Sequence, residues 1–151
     1  MTPELRHVCD IEVSVGAIRD LGPTPYGRRR IIPILGGTVQ GPRLSGSVVP
    51  GGADWQYVRS DGVLDLEARY SITTTDGTEI AIANRGMRRG SPEIMDRLSR
   101  GEIVDPALVY FRTVPVFEAP AGPHEWLNQS IFLGSAARYP EKVQIAVFEV
   151  L

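Results

Sequence analysis

Apolar and polar residues alternate most cleanly along Val63–Thr74. Leu64, Leu66, Ala68, Tyr70 and Ile72 fall on one parity, and Asp65, Glu67, Arg69, Ser71 and Thr73 on the other. A period of two belongs to a strand with one apolar and one polar face. Lys142–Val150 repeats the pattern, with Val143, Ile145 and Val147 set against Gln144 and Ala146. Shorter stretches of the same character predict strands at Leu5–Val15, Arg28–Val39, Leu44–Val49, Trp55–Arg59, Thr78–Gly86, Leu108–Glu118 and Ser130–Ala137. Asp76-Gly77 carries the signature of a two-residue hairpin. One helix is predicted: Ser91 caps it, Pro92 suits its first turn, Glu93 and Arg97 stand four apart, Ile94, Met95 and Leu98 form its stripe, and Gly101 ends it.

Nine strands, one short helix and a turn every ten residues or so indicate an all-β protein, either a sandwich or a closed antiparallel barrel. Hairpin-like spacing and strands that are amphipathic on both faces favour the barrel, whose lumen would be lined in part by polar groups. No repeat or linker divides the 151 residues, so residues 1–151 form a single domain, large enough to fold without staples. A hydrophobic fraction of 42% with 23% charged residues is ordinary for a soluble globular chain.

The net charge of −2 supplies no basic field for nucleic acid. Cationic charge rests on arginine, with Lys142 the one lysine, a bias that suits bidentate anion contacts and equally follows from genome composition. Cys9 stands alone in an alternating apolar strand, where a buried inert thiol is expected. The N-terminus has no apolar signal core and no apolar run is long enough to span a bilayer, so a cytoplasmic location is expected.

Pro50-Gly51-Gly52-Ala53-Asp54-Trp55 sets a carboxylate and an indole directly after two glycines. Asp54 is a candidate to move a proton or bind a ligand hydroxyl with Trp55 stacked beside it. The plainer reading is an Asp that caps its own turn and a Trp that fills the barrel end. Asp65, Glu67 and Arg69 share a strand face; if that face lines the lumen, Arg69 anchors an anion, and if it meets water it is a solvated surface. Tyr110, Arg112 and Glu118 also share one parity, a phenol, a guanidinium and a carboxylate able to stabilise an oxyanion and shuttle a proton, or to form a structural ion pair. Trp126 and Asn128, on one face if extended, either close a pocket or pack in the core.

Several chemistries find no motif. His124-Glu125-Trp126-Leu127-Asn128 is not the zinc motif with two histidines, and two histidines and one cysteine in the whole chain leave little for a metal; none is expected, nor any other cofactor. The glycines at 36, 37, 41, 46, 51 and 52 make neither a dinucleotide fingerprint nor a phosphate loop. No nucleophile elbow occurs. The run Arg28-Arg29-Arg30 alternates faces and reads as an anion contact or a strand end meeting solvent.

Tyr26-Gly27-Arg28, Gly36-Gly37, Gly41-Pro42, Gly51-Gly52-Ala53-Asp54-Trp55, Asp65 with Arg69-Tyr70, Asp76-Gly77, Tyr110-Phe111-Arg112-Thr113, Phe117-Glu118 and Trp126-Leu127-Asn128 follow one another in an order that resembles the DUF3237 (UPF0311) family. The resemblance covers nearly the whole chain. It implies an antiparallel barrel broadly like the calycin and allene-oxide-cyclase barrels, and it raises the lumen reading for Asp65 and Arg69 but not for Glu67. Some fungal relatives act in polyketide cyclisation or lactonisation, which is remote support for chemistry here.

The expectation is a small-molecule-binding barrel, read first as a metal-independent cyclase, isomerase or lactone-forming enzyme acting on a carbonyl-containing metabolite. Asp54 or Glu118 would move the proton, Arg69, Arg112 and Tyr110 would stabilise negative charge, and Trp55, Asp65, Trp126 and Asn128 would bind ligand. The alternative is a non-catalytic carrier of a small anionic or apolar ligand. A homo-oligomer, packed through Leu64, Leu66, Tyr70 and Ile72 if these face outward, is compatible with both; no nucleic acid or membrane partner is expected.

Overall fold

A computed structural model describes all 151 residues. Ten strands run in chain order: β1 (Leu5–Val15), β2 (Arg19–Thr24), β3 (Gly27–Gln40), β4 (Gly46–Val48), β5 (Ala53–Val58), β6 (Leu64–Thr74), β7 (Glu79–Arg89), β8 (Tyr110–Glu118), β9 (Phe132–Arg138) and β10 (Lys142–Val150). Every pairing is antiparallel, and β1 closes the sheet by pairing with both β10 and β3. The result is a closed eight-stranded barrel with two further strands.

The two further strands arise because the long β3 splits its neighbours on both sides. Its second half pairs with β1 and β4, and its first half with β2 and β5. The β1–β3 register shifts beside Gly36, between Ser14 and Val15, and a Cβ on Gly37 would stand 1.9 Å from Glu12 O, so only glycine admits β1 at that point. All nine expected strands are present within a few residues of their predicted ends. β2 was not expected, because Gly22, Pro23 and a bulge after Asp20 erase any alternation.

The apolar parity of each strand faces inward, so Leu64, Leu66, Tyr70 and Ile72 are core and offer nothing to a second subunit. At one end Phe117 meets Phe132 edge-on, with ring centroids 5.0 Å apart. Trp126 and Leu127, on a 3-10 turn at Glu125–Asn128, complete that seal. At the other end lies α1 (Pro92–Ser99). Ser91 Oγ accepts from Ile94 N, Gly101 takes φ +79°, and Met95 packs on the core. Arg97 pairs with Glu102 rather than with Glu93, and Arg100 pairs with Asp96.

The β6–β7 hairpin is not the expected two-residue turn. Gly77 N donates to Thr74 O and Gly77 takes φ +87°, a three-residue loop with glycine in the left-handed position. Thr74 and His124 both bond Asp76 there, so its carboxyl is held below the ordinary range, chiefly by Thr74. No helix is long and apolar enough to cross a membrane.

Candidate functional site

The inner wall is apolar except where a polar residue takes an apolar position. β5 places Asp54 and Gln56 inward, β6 Tyr70, β7 Asn84 and Arg88, β8 Thr113, β9 Arg138, and β3 Arg30 at the rim. Arg30, Arg88 and Arg138 lie at the α1 end; the others line the lumen behind them, and Tyr70 stands in register with Ile82 and Phe117. The glycines that precede Asp54 set β5 in place. Gly51 takes φ +110°, and a Cβ on Gly52 would stand 2.4 Å from Arg69 O and 2.6 Å from Tyr70 Cβ. Only a bare backbone can turn and then press against β6 there, and the strand that follows sends Asp54 inward and Trp55 outward.

A short chain of hydrogen bonds orients the carboxylate. Arg30 Nη2 donates to Gln56 Oε1 at 2.9 Å, and Gln56 Nε2 donates to Asp54 Oδ2 at 2.8 Å. Arginine cannot accept, so the amide oxygen must face Arg30 and the amide nitrogen must face Asp54. Asp54 Oδ1 is left buried without a partner. Six other buried side-chain atoms share that condition: Arg30 Nε, Tyr70 OH, Asn84 Oδ1, Arg88 Nε, Thr113 Oγ1 and Arg138 Nη1. All seven belong to residues lining two adjoining chambers.

The inner chamber, in the lumen, encloses about 50 Å³. The outer chamber, between the rim and α1, encloses about 270 Å³. Arg88 and Arg138 line both and form the partition between them. Room in the lumen depends on small residues. Gly134 and Gly86 flank Thr113, and a Cβ on either would press into its side chain, at 2.1 Å from Oγ1 and 2.7 Å from Cγ2 respectively.

Electrostatics make this place costly. Burial pushes the Asp54 carboxyl up, against the lowering effects of Gln56 and Arg88. Arg88, 5% exposed, is pushed down to about 10 by burial, with Arg138 and Arg30 adding repulsion and Asp54 opposing it. Burial lowers Arg30 and Arg138 as well. Three guanidiniums thus converge on one carboxylate, an excess of positive charge in a desolvated space. Clustered, desolvated charges of this kind mark functional sites and also occur in structural ion networks.

Of the candidate catalytic and ligand-binding residues, Asp54 alone reaches this cluster; Arg30, read in the sequence as an anion contact or a strand end, joins it at the rim. Trp55 is 46% exposed on the outer wall, where Arg29 lies over it and over Tyr57. Asp65, Glu67 and Arg69 are on the outer face too; Asp65 is 3.5 Å from Arg59 and Arg69 is 3.6 Å from Glu67, with the Arg69 side chain 73% exposed. Tyr110, Arg112 and Glu118 point outward from β8, and Arg112 donates to Phe111 O. Trp126 belongs to the aromatic seal at the far end, with Arg43 over its ring. Asn128 is not extended beside Trp126; it lies on the 3-10 turn and clamps Ala119 N and O, both at 2.8 Å. Cys9 is fully buried, and burial raises its thiol to about 12.

The expected convergence is absent because polar residues that share a parity mark the solvent face of these strands and not the lumen. The informative signal was the reverse: a polar residue standing in an apolar series. Asn84 and Arg88 follow Ile80 and Ile82, Thr113 stands between Phe111 and Phe117, and Arg138 ends the series Phe132, Gly134, Ala136.

Residues 3–150 match the model of a family described as a protein of unknown function, DUF3237. A UPF0311 protein of Rhodopseudomonas palustris is 45% identical over 153 residues, covering all of both chains. Among solved structures, a conserved protein of unknown function from Rhodopseudomonas palustris superposes with TM-score 0.97 at 44% identity, covering 100% of this chain and 99% of that one. A β-barrel-like protein from Acinetobacter baumannii superposes with TM-score 0.87 at 36% identity, covering 100% and 98%. An enzyme from Penicillium herquei shares the fold, with TM-score 0.74 at 17% identity and coverage of 100% and 96%.

Proposed function

The chain belongs to the DUF3237 family, and on that footing we propose that its lumen carries out acid–base chemistry on a small carbonyl-containing anion, a reaction of cyclising, isomerising or lactone-forming type. One observation carries the reading: all seven partnerless buried polar atoms belong to residues around the two adjoining chambers. Native interiors satisfy their polar groups, so a cluster of unsatisfied ones fits a ligand that completes them.

Asp54 is the base. Its free Oδ1 takes a proton from the carbon beside the substrate carbonyl, and the electron pair moves onto the carbonyl oxygen. Burial raises its basicity toward the working range. Arg88 and Arg138 hold the oxyanion that forms, in a space where fixed charges act with little screening. The proton then returns to a different carbon in an isomerisation. In a ring closure the electron-rich carbon instead adds to a second carbonyl of the same molecule, whose π pair moves onto its oxygen, and that oxygen takes the proton back from Asp54. Arg30 and Gln56 are positioning residues that hold the Asp54 carboxylate in place.

A carrier is the second reading, favoured by the apolar majority of the inner lining. The enzyme in the Penicillium structure shares only the fold with this chain and adds no residue to the argument. Proton exchange separates the two. With 2-oxobutanoate as probe in deuterated buffer, loss of the C3 proton signal in NMR is expected to be faster with the protein than without. Asp54→Asn is expected to lower that acceleration about 10²–10⁴-fold. Saturable binding of the probe with no acceleration by the wild-type protein would establish the carrier instead.

A further inference from the structure

We infer that the ligand is an amphipathic monocarboxylate whose carboxylate is held at the Arg88–Arg138 partition and whose apolar tail lies in the outer chamber beneath α1. This deepens the proposed function, since it rests on the same arginines, and it assigns a role to the helix that the proton chemistry does not use.

Size decides where the bulk of the ligand sits. The inner chamber, at about 50 Å³, admits only a few heavy atoms, whereas the outer one holds about 270 Å³. Five of the eleven residues around the outer chamber are apolar, Ile18 and Val58 from the rim, Leu64 from β6, and Met95 and Leu98 from α1; Gly62, Ser99 and Asp96, the last paired with Arg100, stand among them. The chamber's polar floor is the arginine partition. Arg88 Nε and Arg138 Nη1 are buried there without partners, and guanidinium groups match carboxylate geometry with paired donors.

The helix sequence fits the same use. Ile94, Met95 and Leu98 form its one apolar stripe, and none of them is fully buried. Met95 is an unbranched thioether that adapts to irregular apolar shapes. A tail lying against Met95 and Leu98 removes that surface from water, and the carboxylate end of the ligand, with the carbon next to it, is then the part that faces Asp54 across the arginines.

The test is calorimetric binding of straight-chain carboxylates from acetate to octanoate, with the matching alcohols as controls, to wild-type protein and to Asp54→Asn. Affinity is expected to rise about three- to fourfold per added methylene until the chamber is full. The alcohols are expected to bind at least tenfold more weakly than the acids, and the trend is expected to persist in Asp54→Asn. Leu98→Asp is expected to flatten the dependence on chain length, with its melting temperature and circular dichroism confirming the fold; should it unfold, the wild-type series still decides. A flat series in wild type overturns the tail site, and alcohols binding as well as acids overturn the arginine anchor. Length-dependent carboxylate binding without proton exchange on 2-oxobutanoate would sink the proton chemistry alone and leave this inference standing.

Discussion

Asp54 and Arg88 carry the same physical burden with opposite signs. Each is a charged group in a place that disfavours charge. Arg88 is 5% exposed and lies 5.2 Å from the centre of the Phe111 ring, with no carboxylate hydrogen-bonded to it. Replacing a whole buried ion pair by apolar side chains is often neutral or stabilising by about 1–4 kcal/mol, and Arg88→Met comes near that case because it removes the repulsion from Arg138 and Arg30 while leaving Asp54 those two cations. Arg88→Met is therefore expected to raise the melting temperature while abolishing carboxylate binding, and calorimetry with scanning fluorimetry reads both. A lower melting temperature would mean that the guanidinium is structural. For Asp54 the prediction is a pH dependence. Unfolded, it titrates near the ordinary Asp value of about 3.9; folded, burial raises it. Between those two values the folded state keeps a proton that the unfolded state has lost, so stability falls as pH rises through that window. Asp54→Asn has no such proton to lose and is expected to flatten that part of the profile, so that melting at pH 7 is above wild type. Equal destabilisation at pH 4 and pH 7 would contradict the direction of the shift.

At the scale of the strand, position is enforced by contacts that a Cβ would spoil. Gly52 lies against Arg69 O and Tyr70 Cβ, and the chain cannot yield there without moving the start of β5. Gly52→Ala is expected to cost about 1–3 kcal/mol by overpacking and to lower carboxylate affinity along with stability, because Asp54 and Gln56 move with the strand. Urea unfolding and calorimetry check the pair of effects; unchanged affinity in a destabilised variant would uncouple the glycine from the site. The strands themselves were legible in the sequence because burial on one face imposes a period of two, as Leu64–Ile72 shows. β2 was not, since a strand that pairs only with β3 and carries Gly22 and Pro23 has no buried face to pattern. The site was legible at Asp54, where the glycines announce an unusual backbone. It was illegible at Arg88 and Arg138, because nothing in one strand tells whether an arginine in an apolar series ends in water or under a helix. That depends on α1, which reaches the barrel mouth from outside the sheet.

Across the whole molecule the barrel divides its labour between its two ends. One end is sealed by aromatic packing of Phe117, Phe132, Trp126 and Leu127, and nearby Glu149 is held below the ordinary range by Ser130 and Arg43. The other end opens from the α1 chamber into the lumen, and the linings of these two spaces hold every buried side-chain polar atom that lacks a partner. Stability is thus expected to reside at the first end and ligand recognition at the second, the separation that lets a protein tolerate an energetically poor site. Phe132→Ala is expected to cost about 3–5 kcal/mol, as a large aromatic removed from a packed core does, with butyrate affinity of the folded fraction held near the wild-type value. Arg88→Met is expected to do the reverse, keeping or raising stability while abolishing butyrate binding. If Phe132→Ala instead weakened butyrate binding by more than tenfold in a folded sample, the two ends would be coupled through β8 and β9, the strands that carry Phe117 and Phe132 at one end and Phe111 and Arg138 at the other. The barrel would then respond to its ligand as a single unit.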